Sequence, residues 1–411
     1  MKKRTEPILS LFEGENLSGV AYKDNERRKE IINEITAHGE ITINEISESL
    51  NISVPKATEL LMELSREGFV KEKGKRSDGP GRKAAYYGLT QDCAYFVGLE
   101  IRKYKLNIGL MGFDKTMVIE QNDIPFFVED SNKALEEIVR ILQEFLDKTN
   151  VDRSRIAGIG ISIAGRINVR TGDILTIYHL SDAPLKATLE KAFNIPVLLD
   201  NDSRTLAYGE YHFGKVGKET EVLVLNLDYG MALGIFVKGK PLFGASGYAG
   251  ELGHIPMFNN EKICFCGKKG CMETEASGRA LIEWLTEQMK NGVNSRLASV
   301  IKQKGIIELE DVVAAVQKGD NLAIEGIGNI ADKIGRGLAI TINLFNPQLI
   351  ILSGSLSEVG ESLLLPVKTS IIQHSLSIVN SDTEVKLSDL FERAGLPGAC
   401  LLIRDKLIGL V

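Results

Sequence analysis

The sequence predicts an α/β protein that carries a winged helix-turn-helix at its N-terminal end. Three short amphipathic helices and a basic hairpin lie between about Asp24 and Leu89. Beyond them, groups of apolar strands followed by helices occur twice along the chain, which is the pattern of packed α/β layers. A cysteine-rich loop in the second half adds a predicted metal site to this fold.

The size and composition of the chain are those of a globular protein. With 411 residues, 44% hydrophobic and 25% charged, it is long enough for about two or three domains with buried cores. Its net charge of −6 means that binding to nucleic acid would have to depend on a local basic patch. Because the first residues lack an apolar core of signal-peptide length and no apolar run is long enough to span a membrane, we expect a cytoplasmic protein.

The three N-terminal helices are predicted from capping residues and apolar spacing. The first begins near Asp24. Thr42 opens the second, with Glu45 three residues later as a capping box. Ser53 caps the third, whose N-terminal residues would read base edges as a recognition helix. We assign no structure to residues 1–22, which show no clear period.

A basic segment after the third helix is predicted to form the wing. Residues 71–83 contain six basic and two acidic residues, a local charge of +4, and a strand-like segment follows them. Such a hairpin is suited to contact phosphates or the minor groove. We predict that the helix and the wing contact operator DNA through seven residues: Ser53, Lys56, Thr58, Lys75, Arg76, Arg82 and Lys83. The alternatives are a solvated charged loop and a winged helix that binds protein.

Residues 90–411 alternate between apolar strands and amphipathic helices. The first group comprises strands at 95–100, 105–112 and 116–124, a helix at 131–148, a strand at 156–163, a helix at 185–193 and a strand at 195–199. The second group begins with a strand at 222–227, and a strand at 349–354 precedes a final helix that starts near 394. This recurrence indicates two related halves.

A cluster of soft metal ligands is the strongest functional signal in the chain. Three of the five cysteines fall within eight residues, and a histidine lies ten positions before the first of them. Together they fill all four positions of a tetrahedral ion, so we predict a structural zinc rather than a catalytic one. The predicted ligands are His254, Cys264, Cys266 and Cys271. The alternatives are a disulfide and buried free thiols.

Two carboxylates lie next to the metal ligands in the sequence. Glu251 precedes His254 by three residues and Glu273 follows Cys271 by two, so closing the metal loop brings both towards one place. Ionised carboxylates accept hydrogen bonds from adjacent hydroxyls, which suggests a polyol ligand.

A further polar pair follows the strand at 195–199. Asn201 and Asp202 open a helix there, and ligands of open α/β sheets bind outside the carboxyl ends of the strands. The alternative is that Asp202 only caps the helix.

The metal loop also carries a family signature. Glu251-x-Gly-His followed by Cys264-x-Cys-Gly-x-x-Gly-Cys-x-Glu resembles the signature of the ROK family, which contains repressors, uncharacterised reading frames and sugar kinases. The resemblance runs from about Asp24 to the C-terminus. It implies a duplicated actin-like (ribonuclease H-like) sugar-kinase fold behind the winged helix-turn-helix. It also implies a sugar-binding set, in which Asp202 is the catalytic base of the kinases: Gly165, Asn201, Asp202, Glu251, His254 and Glu273.

The resemblance also defines the expected domains. Residues 1–89 would form the DNA-binding domain. Residues 90–200 would form the first lobe of the sugar-binding domain, completed by about 386–411. Residues 201–385 would form the second lobe with the zinc loop.

Two loops that handle phosphate in the kinases differ here. The kinases have Asp-x-Gly-Gly-Thr between their first two strands, whereas this chain has Glu100-Ile-Arg-Lys-Tyr104. Their second, glycine-rich loop matches residues 228–234, which contain two glycines and the anionic Asp228. Because backbone amides approach phosphates closely only where glycine permits it, we predict that the phosphate loops are degraded and that the protein is not an enzyme.

A DNA-binding domain joined to a sugar-binding domain predicts a sugar-responsive transcriptional regulator. We expect a repressor of carbohydrate-utilisation genes that is released from DNA when it binds a sugar or sugar phosphate. A homodimer or higher homo-oligomer is expected, because twofold pairing places two recognition helices on one operator. The alternative is an ATP-dependent ROK sugar kinase that carries a DNA-binding domain. A third reading, a zinc-stabilised scaffold without a ligand, is disfavoured by the carboxylates at the zinc loop.

Overall fold

The computed structural model describes residues 19–76, 84–127, 132–168, 171–174 and 185–411. Within these ranges the helices are α1 (Gly19–His38), α2 (Ile43–Ser49), α3 (Val54–Arg66), α4 (Asn132–Lys148), α5 (Leu185–Phe193), α6 (Asp202–Phe213), α7 (Glu273–Ala276), α8 (Gly278–Lys290), α9 (Leu297–Lys304), α10 (Leu309–Gln317), α11 (Asn321–Phe345), α12 (Glu361–His374), α13 (Ser377–Asn380) and α14 (Gly395–Leu407).

The strands of the same ranges are β1 (Glu40–Thr42), β2 (Val70–Arg76), β3 (Ala84–Leu89), β4 (Tyr95–Ile101), β5 (Lys105–Gly112), β6 (Met117–Pro125), β7 (Ile156–Ile163), β8 (Ile167–Asn168), β9 (Asp173–Ile174), β10 (Val197–Asn201), β11 (Val222–Leu227), β12 (Met231–Val237), β13 (Lys240–Pro241), β14 (Leu349–Ser353) and β15 (Glu384–Leu387). The chain divides into two units. The first unit is drawn from residues 1–165, 171–200 and 399–411, and the second from 166–170 and 201–398.

The N-terminal part of the first unit is a winged helix-turn-helix. The capping box predicted at α2 is confirmed, since Thr42 Oγ1 accepts from the Glu45 amide at 3.3 Å and Glu45 Oε2 accepts from the Thr42 amide at 2.7 Å. Ser53 caps α3 as predicted. Strands β1, β3 and β2 form a three-stranded sheet in that order, in which β2 and β3 are the strands of the wing and Ile41 lies opposite Tyr87. The tip of the wing at residues 77–83 lies outside the described residues.

The predicted start of the first helix near Asp24 was wrong, because α1 begins at Gly19. Its first turn is exposed to solvent, so no apolar stripe marks it in the sequence. The buried face begins only at Asn25 and continues through Ile31, Ile32 and Ile35. Apolar spacing therefore identified the packed part of the helix and missed the solvated part.

The DNA-binding helices share one hydrophobic core with the body of the first unit. Ile31 and Leu60 belong to the same cluster of buried side chains as Phe113, after β5, and Ile403, in α14. The rings of Phe69 and Phe113 lie 5.4 Å apart. The winged helix-turn-helix is therefore packed against the body through apolar contacts rather than joined to it only by a linker.

A buried arginine strengthens this connection. Arg404 of α14 is fully buried and pairs with Asp405. Its Nε donates to the Phe113 carbonyl at 2.8 Å, and its second guanidinium nitrogen donates to Thr36 Oγ1 of α1 at 2.9 Å. A buried charge is tolerated when it is paired and hydrogen-bonded, and here the partners join α14, the β5 end and α1.

Each unit contains a mixed five-stranded sheet within its described residues. The strand order is β6-β5-β4-β7-β10 in the first unit and β13-β12-β11-β14-β15 in the second. In the first unit β4 pairs antiparallel with β5 and parallel with β7, where Val97 lies opposite Ile159. In the second unit β11 pairs in the same way, antiparallel with β12 and parallel with β14, where Val224 lies opposite Ile351. The two sheets have the same topology, so the predicted duplication is confirmed.

The core of the second unit lies between its sheet and its helices. Buried side chains of β11 and β14 pack with α8, α10 and α11, and with the half-buried Trp284 at their edge. Among the helices described, none combines the length and the apolar character needed to span a lipid bilayer.

Candidate functional sites

The predicted metal ligands converge in the second unit. The ligand atoms of His254, Cys264, Cys266 and Cys271 all lie within 4.8 Å of one another. Cys266 Sγ and Cys271 Sγ are 3.6 Å apart, and Cys264 Sγ is 3.5 Å from His254 Nδ1. Two thiolates on one tetrahedral zinc, each about 2.3 Å from the ion, stand about 3.8 Å apart. The four donors are thus spaced to hold one metal ion.

Tight turns bring these donors together. Gly267 and Gly270 both have positive φ, 83° and 75°. At Gly270 a Cβ would lie 2.3 Å from the Phe258 carbonyl oxygen, so only glycine fits the close approach of these two backbones. The metal loop is therefore shaped by its glycines as well as by its ligands.

The three thiols of the cluster differ in acidity, and the pKa of the Cys266 thiol is lowered because its burial is outweighed by hydrogen bonds with the Lys268 backbone and with the other two thiols. Burial raises the pKa of the Cys271 thiol to about 12, and hydrogen bonds with the other two thiols act in the same direction. Burial also raises the pKa of Cys264. Such thiols stay protonated near neutral pH unless a metal ion displaces their protons.

His254 connects the metal cluster to a carboxylate. Its Nδ1 faces the thiols, whereas its Nε2 lies 3.4 Å from Glu251 Oε2 on the opposite edge of the ring. A short 3₁₀ helix, Leu252–His254, sets this three-residue spacing. If Nδ1 binds a metal, Nε2 carries the proton and becomes a donor directed away from the ion.

The second carboxylate, Glu273, starts α7 two residues after the last cysteine. It lies close to two glycines: a Cβ at Gly230 would be 3.3 Å from Glu273 Oε2, and one at Gly253 would be 3.4 Å from Glu273 Cβ. The metal loop thus places Glu273 beside the loop that follows β11. Glu251 and Glu273 both lie next to residues of the metal cluster, and their convergence on one ligand stays a prediction.

Asn201 and Asp202 stand where β10 runs into α6. Asn201 is the N-cap, and its Oδ1 accepts from the amides of Ser203 and Arg204 at 3.1 and 3.2 Å. Asn201 rather than Asp202 is therefore the N-cap, and Asp202 Oδ1 accepts from the Ser203 amide at 2.7 Å and from Asn201 Nδ2 at 2.9 Å. Asp202 remains half-buried at the end of a strand, which is a position suited to ligand contact.

Gly165, the remaining predicted sugar contact, follows the end of β7 by two residues in the first unit and has a φ of 122°. Arg166, the next residue, belongs to the second unit, and its Nε lies 3.9 Å from Glu251 Oε2. Sequence reasoning missed Arg166, although its position directly after Gly165 was a usable signal.

The turn between β4 and β5 is built from large side chains. Glu100 is buried, and it accepts from Arg102 at 2.8 Å and from Asn107 Nδ2 at 2.7 Å. The Lys103 ammonium lies over the Tyr104 ring, 4.8 Å from its centre, and Tyr104 packs on Phe127. No glycine occurs at residues 100–104.

The loop after β11 contains a fixed carboxylate. Asp228 Oδ1 accepts from the Tyr229 amide at 2.8 Å, and its Oδ2 accepts from Ser355 Oγ at 3.1 Å. Both oxygens of this side chain are therefore held by hydrogen bonds within the second unit.

The recognition helix α3 presents a short polar surface. Lys56 pairs with Asp24 at 3.1 Å and with Glu59 at 3.3 Å, and these bonds raise its pKa, with the bond to Asp24 acting most strongly. The Thr58 hydroxyl donates to the Val54 carbonyl. Lys75 in β2 is exposed. The predicted contacts Arg82 and Lys83, and the side chain of Arg76, lie outside the described residues.

Comparison with known proteins gives two family matches. The model of the ROK family matches residues 96–406, and a winged helix-turn-helix DNA-binding model matches residues 24–71.

Both regulators and kinases are similar to this chain. A xylose repressor from Caldicellulosiruptor bescii is 29% identical over 367 residues, covering 88% of this chain and 91% of that protein. A glucokinase from Halalkalibacterium halodurans is 30% identical over 293 residues, covering 70% and 89%. The crystal structure of a ROK family transcriptional regulator, a homolog of the E. coli MLC protein, has a TM-score of 0.77 at 27% identity and covers 90% of this chain and 93% of that one. These matches confirm the fold class predicted from the sequence.

Proposed function

The chain belongs to the ROK family, and from this premise we propose that it is a sugar-responsive transcriptional repressor of carbohydrate-utilisation genes, acting in the cytoplasm. The observation that carries this proposal is the winged helix-turn-helix, packed into the same core as the body of the first unit. A relative of similar length is named as a xylose repressor. The alternative is a sugar kinase, which the similarity to a glucokinase keeps open.

The proposed sugar site uses the polar groups of the second unit. Glu251 and Glu273 accept hydrogen bonds from sugar hydroxyls, and His254 donates from Nε2. Asn201 and Asp202 contribute further contacts from the start of α6. The proposed role of Gly165 stays a prediction, because this residue belongs to the first unit.

The proposed metal is zinc with a structural role. Three sulfur donors and one imidazole are the ligand set that zinc favours, and they leave no position for water. When bound, zinc supplies charge and geometry but no reaction step. His254 orients its Nε2 and Glu251 towards the sugar, and the loop positions Glu273.

The switch requires that the sugar binds the DNA-incompetent form more tightly. The chain passes from one unit to the other at residues 165–166 and 200–201, so Asn201 stands directly at such a crossing. A ligand that contacts Asn201 and Asp202 acts on a segment where a backbone rearrangement is expected to concentrate. The DNA-binding helices are packed into the core of the first unit. We therefore expect a backbone rearrangement at residues 200–201 to be transmitted to α3.

The DNA-binding residues are tested by two kinds of substitution. Replacing Arg82 and Lys83 with alanine is expected to weaken binding to all sequences and to lower the salt slope by about two, because each lost phosphate contact removes about 0.9 from the slope. Replacing Lys56 or Thr58 is expected to change sequence preference instead. The measurement is the affinity for selected and scrambled DNA across a salt series, with the exposed Lys148→Ala as the matched control.

Operator recognition is proposed to require a homodimer, with recognition helices about 34–36 Å apart. If a chain lacking residues 1–89 bound the selected DNA as well as the intact protein, the assignment of the DNA-binding domain would be wrong.

Kinase turnover is expected to be negligible. In the β4–β5 turn Arg102 and Lys103 stand at the positions that match the two glycines of the kinase loop, and we expect Asp228 to repel phosphate at the second loop. Losing one preorganised contact commonly lowers the rate about 10²–10³-fold. Incubation with ATP, magnesium and a sugar panel tests this, and turnover at about 1–100 per second would establish the kinase alternative.

A further inference from the structure

A cavity in the second unit has a lining that includes neither Glu251 nor Glu273, the carboxylates of the proposed sugar site. Its volume is about 410 Å³, which falls within the range of about 300–1,000 Å³ that is usual for small-molecule sites. It lies between the metal loop, helices α7 and α8, and the middle of α11. Its chemically distinct lining residues are Lys262, Glu275, Leu281, Trp284, Asn329 and Lys333.

Two lysines that line this cavity share one carboxylate. Lys262 Nζ lies 3.1 Å from Glu275 Oε1, and Lys333 Nζ lies 2.6 Å from Glu275 Oε2. Asn260 Nδ2 also donates to Oε1, at 2.9 Å. Each ammonium has three N–H donors, so both lysines keep donors beyond those that Glu275 accepts. One carboxylate thus fixes two ammonium groups near each other.

The charged residues that line the cavity balance in number, with Lys262 and Lys333 against Glu275 and Asp332. Asp332 pairs with Arg336, which does not line the cavity, at 2.9 Å. The two lysines therefore share Glu275 alone. The anionic group of a ligand would bind to the donors that the lysines keep free of Glu275.

The cavity is also lined by an aromatic side chain. Trp284, which is the one tryptophan of the chain, lies half-buried on α8 against α11. A Cβ at Gly326 would lie 3.1 Å from its ring, so glycine lets the indole approach the helix. At Gly328 a Cβ would meet no atom within 4 Å, so the helix surface there faces open space.

We propose that this cavity binds a small organic anion, with a phosphate or carboxylate group held by Lys262 and Lys333 and a ring placed against Trp284. The ring can be that of a phosphorylated sugar or of an aromatic acid, which share this chemistry. Lys262 lies two residues before Cys264, and Glu275 lies two residues after Glu273. A ligand bound here would therefore contact residues next to the metal cluster and in α7. This second ligand site does not depend on the proposed function.

The lone tryptophan makes the test direct. Indole fluorescence of the intact protein is titrated with glucose 6-phosphate, benzoate, inorganic phosphate and glucose, and calorimetry on the same samples detects any binding that leaves the fluorescence unchanged. We expect saturable binding of glucose 6-phosphate or benzoate, and whichever binds more tightly identifies the source of the ring. Inorganic phosphate is expected to bind at least about tenfold more weakly, since it cannot contact Trp284. The response is expected to persist in Glu251→Ala, in which the proposed sugar site is impaired.

Variants of one lysine separate this site from a general effect of charge. Lys333→Met is expected to weaken binding at least about tenfold, since it removes a hydrogen bond to a charged group. Lys333→Arg is expected to retain binding, and Lys290→Met, at the exposed end of α8, is the matched control. Absence of saturable binding by both methods, equal affinity in wild type and Lys333→Met, or loss of the response in Glu251→Ala would each overturn the proposal. Phosphate binding as tight as that of glucose 6-phosphate and benzoate would overturn the role of Trp284.

Discussion

Protein with the Cys266→Ser substitution is expected to be purified without bound zinc, whereas the wild type is expected to hold one zinc per chain. A structural zinc contributes about 10–16 kcal/mol of apparent binding free energy in small zinc-dependent peptides, and a serine hydroxyl is a poor replacement for a thiolate. Elemental analysis of protein purified without chelator measures the metal content. Sugar binding is expected to weaken in the same variant, because Glu251 and Glu273 are both held by the metal loop.

Cys93→Ser is the matched control for this prediction. Cys93 is a buried thiol of the first unit, far along the chain from the cluster, and its sulfur donates to the Thr90 carbonyl at 3.3 Å, a bond that serine can replace. This variant is expected to keep its zinc. Wild-type protein without stoichiometric zinc, or Cys266→Ser protein with it, would show that the four donors do not form the predicted site.

Glu251→Ala and Glu273→Ala are expected to give repressors that bind operator DNA normally but are no longer released by sugar. Hydrogen bonds to a charged group contribute about 1.5–3 kcal/mol each, which corresponds to about 10–100-fold in sugar affinity. DNA affinity should remain at the wild-type level, because both residues belong to the second unit and the DNA-binding helices belong to the first. The measurement is operator release over a series of sugar concentrations.

Glu261→Ala is the control for the carboxylate variants. Glu261 lies on the same metal loop, is exposed, and pairs with Lys269. The Glu261→Ala protein is expected to be released from operator DNA at the same sugar concentration as the wild type. Release of Glu251→Ala and Glu273→Ala at the wild-type sugar concentration would exclude these carboxylates from the sensor.

The strongly periodic and the chemically distinctive parts of this protein could be predicted from its sequence. The strands β5 (Lys105–Gly112), β7 (Ile156–Ile163) and β11 (Val222–Leu227) have the predicted bounds, because their apolar runs are bounded by polar or glycine residues. The metal ligands converge as predicted, since cysteine spacing reports coordination geometry directly.

Contacts between distant parts of the chain could not be predicted in the same way. Arg404 donates to Thr36 across 368 residues, and nothing in its local sequence identifies that partner. The N-cap residue of α6 could not be predicted either, because Asn201 and Asp202 are both good capping residues. Only the backbone conformation identifies Asn201 as the cap. The cavity at Trp284 combines three separate segments, so no single motif marks it.

The most direct test of the account is the affinity of the intact wild-type protein for its operator, measured with and without the sugar. The operator is defined by selection from random-sequence DNA, and the sugar by a thermal-shift screen of the full chain. The account predicts that saturating sugar weakens operator binding about 100-fold, a coupling free energy of about 2.7 kcal/mol, and that operator DNA weakens sugar binding by the same factor. Equal operator affinity with and without a sugar that is shown to bind would contradict the central claim, and tighter operator binding would reverse its sign and make the sugar a co-repressor.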